Sequence, residues 1–301
     1  MRAAGGAAVL VLAALLLAGC GGHRTRPSPG DSRQHRAWGQ PADSRGGFHD
    51  DLSKPQGSRY RDGEDSVPPP LDVSKLVEPV PKVEPRSLYG NKSPYTVLGQ
   101  TYRVLPSARG YDERGIASFY GNKFHGYKTS SLETYDMYAF SAASTTLPLP
   151  SYARVTNLQN GKSVIVRVND RGPFHQNRLI DLSYAAAVKI GIWPKGTGLV
   201  EVRGIDPSAP TQELPPPVAV PPGQPDIYLQ VGAFADTDNA DRLARRLRQA
   251  NLGAVQVSDA TVNGRRVRRV RVGPLASVDR ADQVSARIES MGLPRPQVAV
   301  D

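Results

Sequence analysis

Cysteine is almost absent from this chain, since Cys20 is the only one in 301 residues. An intrachain disulfide is therefore excluded, and so are zinc and iron–sulfur sites built on several thiolates. No spacing of His, Asp or Glu suggests a metal site either, and none of the motifs calls for a cofactor. Aromatic residues are scarce, at 7% of the chain. That argues against a surface that stacks on exposed bases. Charge comes without blocks of one sign. The 38 basic and 28 acidic residues leave a net +10, spread as a mild excess along the chain. Such a surface suits an anionic polymer, with nucleic acid and cell-wall glycan as the two candidates. No apolar run reaches the roughly 20 residues that a membrane-spanning helix needs. The longest runs from Ala7 to Leu17.

That run follows Arg2 and leads into Leu17-Ala18-Gly19-Cys20, which resembles a bacterial lipobox. The resemblance implies a signal peptide over 1–19, with cleavage before Cys20 and lipidation of its thiol. Gly21 and Gly22 follow in place of the aspartate that marks inner-membrane retention. The expected location is the outer membrane, facing the periplasm. Export removes nucleic acid from the two candidate polymers and leaves cell-wall glycan.

Residues 20–85 read as a disordered tether from the lipidated cysteine. Up to about residue 75 they are rich in Gly, Pro, Ser, Arg and Asp. Some 55 residues of flexible coil have an r.m.s. span of roughly 40 Å. Residues 86–206 read as strands and turns forming a small β-barrel. Within them, 95–105 is a hairpin turning at Gly99-Gln100, and 115–121 is a strand. Residues 153–158 and 162–168 form a second hairpin through Asn160-Gly161, a dipeptide that suits a type I′ turn. Ser183–Ile190 is a short helix that Gly191 ends. Residues 207–225 hold eight prolines and read as a semi-rigid linker.

The last segment, 226–301, contains an internal repeat. Val231-Gly232-Ala233-Phe234-Ala235 recurs as Val272-Gly273-Pro274-Leu275-Ala276. Each copy is strand, helix, strand. Two such units give a small α+β sheet of ferredoxin-like βαβ-βαβ type with both helices on one face. The uncovered face is then a binding platform. Its central strands carry one aromatic, Tyr228, so the RNA-binding use of such a sheet is not expected.

The most informative stretch is Val164–Phe174. A β-branched run ends in Asn169-Asp170-Arg171-Gly172-Pro173, so a carboxylate is presented at a strand end beside a guanidinium. Leu179–Ser183 then places Asp181 inside an apolar run, where burial raises a carboxyl pKa. Glu133 and Asp136 lie three apart in the loop before an expected strand at Tyr138–Phe140. Each acid also has a structural reading. Asp170 caps a turn or pairs with Arg171, Asp181 caps the following helix or bonds loop amides, and Glu133 and Asp136 are solvated loop acids. His125 and His175 serve either as glycan contacts or as structural histidines.

Several of these motifs occur in order across about a hundred residues. They are Gly115–Gly121, Lys123–Gly126, Thr129-Ser130, Glu133–Met137, Tyr152–Leu158, Val166–Phe174 and Ile180–Ser183. Together they resemble the rare lipoprotein A family of septal lytic transglycosylases. The resemblance implies a double-psi β-barrel related to expansins. It also implies cleavage of the β-1,4 bond between N-acetylmuramic acid and N-acetylglucosamine in septal peptidoglycan. In that reaction an acid protonates the leaving oxygen, and the sugar's own C6 hydroxyl closes an anhydro ring. Asp170, Asp181, Glu133 and Asp136 are the catalytic candidates. Residues 226–301 resemble a SPOR domain, which binds glycan stripped of stem peptides. Gln230, Arg271 and Phe234 are its candidate glycan contacts, with Arg171 as a further one on the barrel. Divisome proteins are implied as further partners. The chain departs from the pattern at Ser144, where relatives carry a histidine, and at Ser131-Leu132, where they carry Asn-Gly. A serine carries no charge at neutral pH. These departures keep open a second reading, a non-catalytic, expansin-like wall binder.

Overall fold

A computed structural model describes residues 50–54, 59–60, 65–66, 70–175, 177–208, 225–262 and 264–300. Cys20, the signal-like run and most of the proline-rich linker lie outside the described residues.

The barrel domain begins with a small hairpin, β1 (Tyr95–Val97) and β2 (Gln100–Tyr102). Val97 pairs with Gln100, so the turn is Leu98-Gly99, one residue earlier than expected. Both turn residues have positive φ, which is the backbone a two-residue hairpin turn needs. Six strands then close a barrel: β3 (Asp112–Tyr120), β4 (Ser141–Ala143), β5 (Ser151–Asn157), β6 (Ser163–Asp170), β7 (Arg178–Ser183) and β8 (Gly198–Ile205). Their order around the barrel is β3-β7-β4-β6-β5-β8. The pairs β3·β7 and β4·β6 are parallel, and the other four are antiparallel. Closure leaves no free sheet edge.

Alternation of side chains divides the barrel wall into two faces. Ala117, Ala142, Val166, Val168, Ile180 and Leu182 point into the sealed core. Ser118, Ala143 and Asp181 belong to the opposite face. The strand expected at Tyr138–Phe140 starts three residues later, at Ser141, because 138–140 form a turn. The β5–β6 connection closes through Asn157 and Lys162 as a longer loop than a type I′ turn. Only Gly161 has positive φ there. Asn160 instead uses its side chain, which accepts from Lys162 N at 2.9 Å and donates to Ile190 O at 3.0 Å. Helix α1 (Tyr184–Lys189) has Ser183 as its N-cap, with the hydroxyl accepting from Ala186 N. Such a cap contributes about 1 kcal/mol.

The expected tether does not run free to residue 85. Leu71, Val73 and Leu76 pack against the barrel core. Glu78 accepts from Ile165 N at 2.9 Å, and Glu84 bonds Arg167. Upstream, Asp65 accepts from Gly121 N at 2.7 Å and Lys123 N at 3.0 Å. Composition misled the sequence reading here. Three spaced aliphatics are enough when a preformed barrel offers the other half of the contact.

The repeat domain comprises β9 (Ile227–Phe234), α2 (Thr237–Gln249), β10 (Val255–Val262), β11 (Arg265–Leu275), α3 (Val278–Ser290) and β12 (Gln297–Val300). The sheet order is β10-β11-β9-β12, with every neighbour antiparallel. Ala240, Ala244 and Leu247 of α2 are buried, and so are Ala281, Val284 and Ile288 of α3. All six join Leu229, Val270 and Val272 in one core. Both helices therefore cover the same face. Arg242, Arg245, Arg246 and Arg248 are exposed, as the helical periodicity predicts.

Candidate functional site

The acids of β6 and β7 meet across β4. Ala143 pairs with Asp170 on one side and with Asp181 on the other. Residues paired in a ladder share a face, so both carboxyls flank the methyl group of Ala143. A register shift between β4 and β6 makes this possible. Strict alternation from Val168 would bring Asp170 to the core face, and the extra residue at Asn169 turns it outward. Gly172 lies against the same spot. A methyl added there would sit 3.7 Å from the Ala143 Cβ and 3.8 Å from Asp181 Oδ2. Gly172 also has a φ of 142°, which a side chain rarely adopts.

The two acids are held differently. Asp170 Oδ1 accepts three hydrogen bonds, from Ser130 N at 2.7 Å, Ser130 Oγ at 2.7 Å and Arg171 N at 2.7 Å. Asp181 accepts one short bond, from the Ser118 hydroxyl on β3. Burial pushes both carboxyls above their ordinary pKa, and for each the bonds made to it offset only part of that effect. Asp170 also raises Asp181 through its own charge. Tyr120, buried on β3, is pushed well up, chiefly by burial, and both acids add to the effect. Asp170 and Asp181 are both partly buried rather than sealed.

Glu133 belongs to a different arrangement. Its carboxylate takes Arg167 Nη1 at 2.5 Å, Arg167 Nη2 at 3.0 Å and Asn169 Nδ2 at 3.0 Å. Glu84 grips the same arginine through Nε and Nη2, both at 3.0 Å, and also accepts from the Tyr152 hydroxyl. Burial acts to raise Glu133 and Glu84. The bonds and charge of Arg167 outweigh it and hold both below their ordinary range. Neither can carry a proton at neutral pH. One tight turn serves both clusters. Leu132 N donates to Thr129 O, and Thr129 N donates to Glu133 O. Ser130 is thereby aimed at Asp170 and Glu133 at Arg167. Leu132 adopts a φ of 65° in this turn, the left-handed backbone that a glycine there would take without strain.

Asp136 faces His125, with Oδ1 3.9 Å from Nδ1, and accepts from Tyr138 N. Arg171 does not present its guanidinium to a glycan, because the side chain is inside. It donates to Gly90 O, Ser144 O, Leu147 O and Asn91 Oδ1, at 2.6 to 3.1 Å. Ser144 is buried, and its hydroxyl accepts from Thr146 N and Leu147 N. Its place is a turn cap rather than a proton carrier. His175 is exposed, on the loop that leads into β7. Sequence reasoning missed Glu84 and Arg167 as a pair. They lie 83 positions apart, and no local pattern joins them. Ser118 and Ser130 stood inside the quoted motifs, and their hydroxyls gave no separate signal.

On the repeat domain the open face carries a row of polar side chains. Gln256, Arg271, Gln230 and Gln297 are register partners across β10, β11, β9 and β12. The Arg271 guanidinium lies 5.9 Å from the Tyr228 ring centroid. Amide and guanidinium donors aligned this way suit sugar hydroxyl and acetamide oxygens. Phe234 is not part of the row. Its ring lies across Gly232 beside Leu243, packed with the helix-side core.

Comparison with known proteins fits this division. The family described as "Lytic transglycolase" matches residues 112–203, and the SPOR domain family matches 223–298. The chain is 42% identical over 279 residues to the endolytic peptidoglycan transglycosylase RlpA of Pseudomonas aeruginosa, covering 74% of this chain and 81% of that protein. It is 41% identical over 237 residues to the protein of the same name from Vibrio cholerae, covering 78% and 87%. Among solved structures, the SPOR domain of the Pseudomonas aeruginosa RlpA is 34% identical, covering 24% of this chain and 96% of that one, with a TM-score of 0.24. With two such relatives matched over most of their length, this chain belongs to the RlpA family of endolytic peptidoglycan transglycosylases.

Proposed function

We propose that this chain cleaves the β-1,4 bond between N-acetylmuramic acid and N-acetylglucosamine in peptide-stripped peptidoglycan, leaving an anhydromuramic end. The observation that carries the reading is the pairing of Asp170 and Asp181 around Ala143 on one accessible face. Asp181, whose burial is offset by a single hydroxyl partner, is assigned as the proton donor. Asp170, with three donors on one oxygen, is the better-stabilised anion. Asp181 gives its proton to the glycosidic oxygen as the bond from C1 breaks. The C6 hydroxyl of the same muramic residue then attacks C1 and passes its proton to Asp170. The pair ends with one proton, as it began. No water is consumed, so no third carboxylate is needed to activate one.

Glycan strands freed of peptides, incubated with the protein and analysed by mass spectrometry, test this. Wild type should release anhydromuramic products. Asp181→Asn and Asp170→Asn should each lose on the order of 10²-fold or more in rate. Sacculus binding by wild type without any anhydro product would sink the proposal and favour the expansin-like binder. The reading extends to a lipid anchor at Cys20 on the periplasmic side of the outer membrane and to enrichment at the septum. Fatty-acid labelling that survives Cys20→Ala would remove the anchor from it.

A further inference from the structure

The acid-bearing face of the barrel does not end in solvent. On β3 and β7 the paired residues of that face are Ser118 with Asp181 and, nearer the start of both strands, Ile116 with Arg178. The two pairs stand about 7 Å apart along β3, and a register shift between Ile116 and Ala117 takes up the extra residue on β7. Ile116 is an outward-facing isoleucine that is nonetheless fully buried, and Leu158 and Leu199 beside it are nearly so. All three belong to the core cluster of the repeat domain, not to the barrel's own core. The edge strand β12 packs against β3.

Polar contacts close the same junction. Arg178 donates to both oxygens of Asp282 on α3, through Nη1 at 3.2 Å and Nη2 at 2.8 Å. Asn177 Nδ2 donates to Asp282 Oδ1 and to the Ser285 hydroxyl, each at 2.9 Å. Ser285 donates back to Asn177 Oδ1 at 3.2 Å. Ser285 is completely buried, yet these partners lie on the barrel. Asp282 and Ser285 are three apart on α3 and share one face of it. That face lies beside the Ala281, Val284 and Ile288 stripe, which packs into the repeat domain's own core. Helix α3 therefore buries two faces, one against its sheet and one against the barrel. Asn177 makes its contacts from a left-handed backbone, with a φ of 61°, a conformation that surrounding structure must hold in place.

We propose that the repeat domain is the end wall of the cleavage cleft, with Arg178–Asp282 and Asn177–Ser285 as the latch that seats it. The polar row on the open sheet ends at Gln297, on the strand that packs against β3. A glycan held by that row leaves the sheet at the barrel, one side-chain row from Ser118 and Asp181. Binding and cleavage then form one continuous track, so the SPOR module positions substrate as well as retaining it. Asp282 is a positioning residue in this scheme. It touches neither the reacting bond nor Asp181.

The proposal rests on the transglycosylase reading and is tested in the full-length chain with a charge exchange. Asp282→Arg and Arg178→Asp should each lower kcat/KM on stripped glycan about tenfold, while sacculus binding stays at the wild-type level. The double variant Arg178→Asp/Asp282→Arg should recover to within about threefold of wild type. Single variants with unchanged kcat/KM, or a double variant no better than the singles, would overturn the latch. Hydrogen exchange keeps this outcome separate from failure of the catalytic reading. With a seated domain, Asp282→Arg speeds amide exchange in β12 and in β3 near Ile116, whether or not the wild type turns over glycan. Equal exchange in both proteins would also overturn the proposal.

Discussion

Two carboxylate clusters lie on the same barrel and carry opposite electrostatics. At the first, Asp170 and Asp181 are partly buried with hydroxyl and amide partners, and their pKa values rise. At the second, Glu84 and Glu133 share Arg167, and theirs fall. Burial acts in the same direction at both. What differs is a counter-charge in direct contact. Hydrogen bonds from neutral donors only partly offset desolvation, whereas a bidentate guanidinium exceeds it. Burial thus favours the protonated form at the first cluster, and Arg167 favours the ionised form at the second. The two arginines extend the contrast. Arg167 neutralises acids, while Arg171, four residues on, spends its charge on three carbonyls and one amide oxygen of the loops.

The sharpest way to break this comparison is to remove each arginine. Arg171→Ala should be the costlier change, at about 3–5 kcal/mol, because it strands several buried acceptors at once. Arg167→Ala should cost roughly 2–3 kcal/mol, less than a fully buried pair, because water still reaches Glu84 and Glu133. Urea unfolding measures both, and the reverse order would show that the loop carbonyls are solvated rather than held. A smaller effect separates the clusters by pH. Glu84 and Glu133 sit below their ordinary 4.5, so they add stability above that pH that disappears as pH falls through their folded values. Asp170 and Asp181 sit above their ordinary 3.8, so their contribution is full below about 3.8 and is lost as pH rises through their folded values. A double Asp170→Asn/Asp181→Asn variant should thus gain on wild type as pH climbs from about 4. A double Glu84→Gln/Glu133→Gln variant should fall behind as pH climbs toward about 4.5, with a constant gap above it. Parallel stability curves for the two variants would contradict the assignment. The smallest change tests the turn that joins the clusters. Leu132→Gly should stabilise by up to about 1 kcal/mol, since relief of the left-handed leucine slightly exceeds the added chain entropy. A lower melting temperature would mean that the half-exposed leucine side chain makes a contact worth more than the strain.

Much of the architecture was legible in the residues. Val164–Val168 running into Asn169-Asp170 marked a strand with an acid at its end. Ser183 and Gly191 bracketed a helix by cap chemistry alone, and the repeated Val-Gly motif announced the second domain. Local chemistry decides these features, so a local reading finds them. The site was legible as a short roster of acids without its sorting. Asp170 and Glu133 look alike as sequence, each a carboxylate among polar turn residues. The register shift at Asn169 sends one toward Asp181, and the Thr129–Glu133 turn sends the other to Arg167. Phe234 and Arg171 are expected on binding faces only because each stands inside a motif that carries a family resemblance. Packing turned both inward, where an apolar ring and a five-donor fork had better partners.

The sequence by itself determined the order of elements, the two domains, the cap and turn positions and the family. These follow from periodicity, backbone preference and motifs that act over a few residues. Only the tertiary structure decided which acids burial pushes up and which a counter-charge holds down, which arginine is spent on structure, and that residues 70–85 pack onto the barrel instead of trailing from it. It also decided that α3 has a second buried face. Each of these depends on what a side chain meets across tens of positions, where burial and counter-charge, rather than local preference, set the outcome.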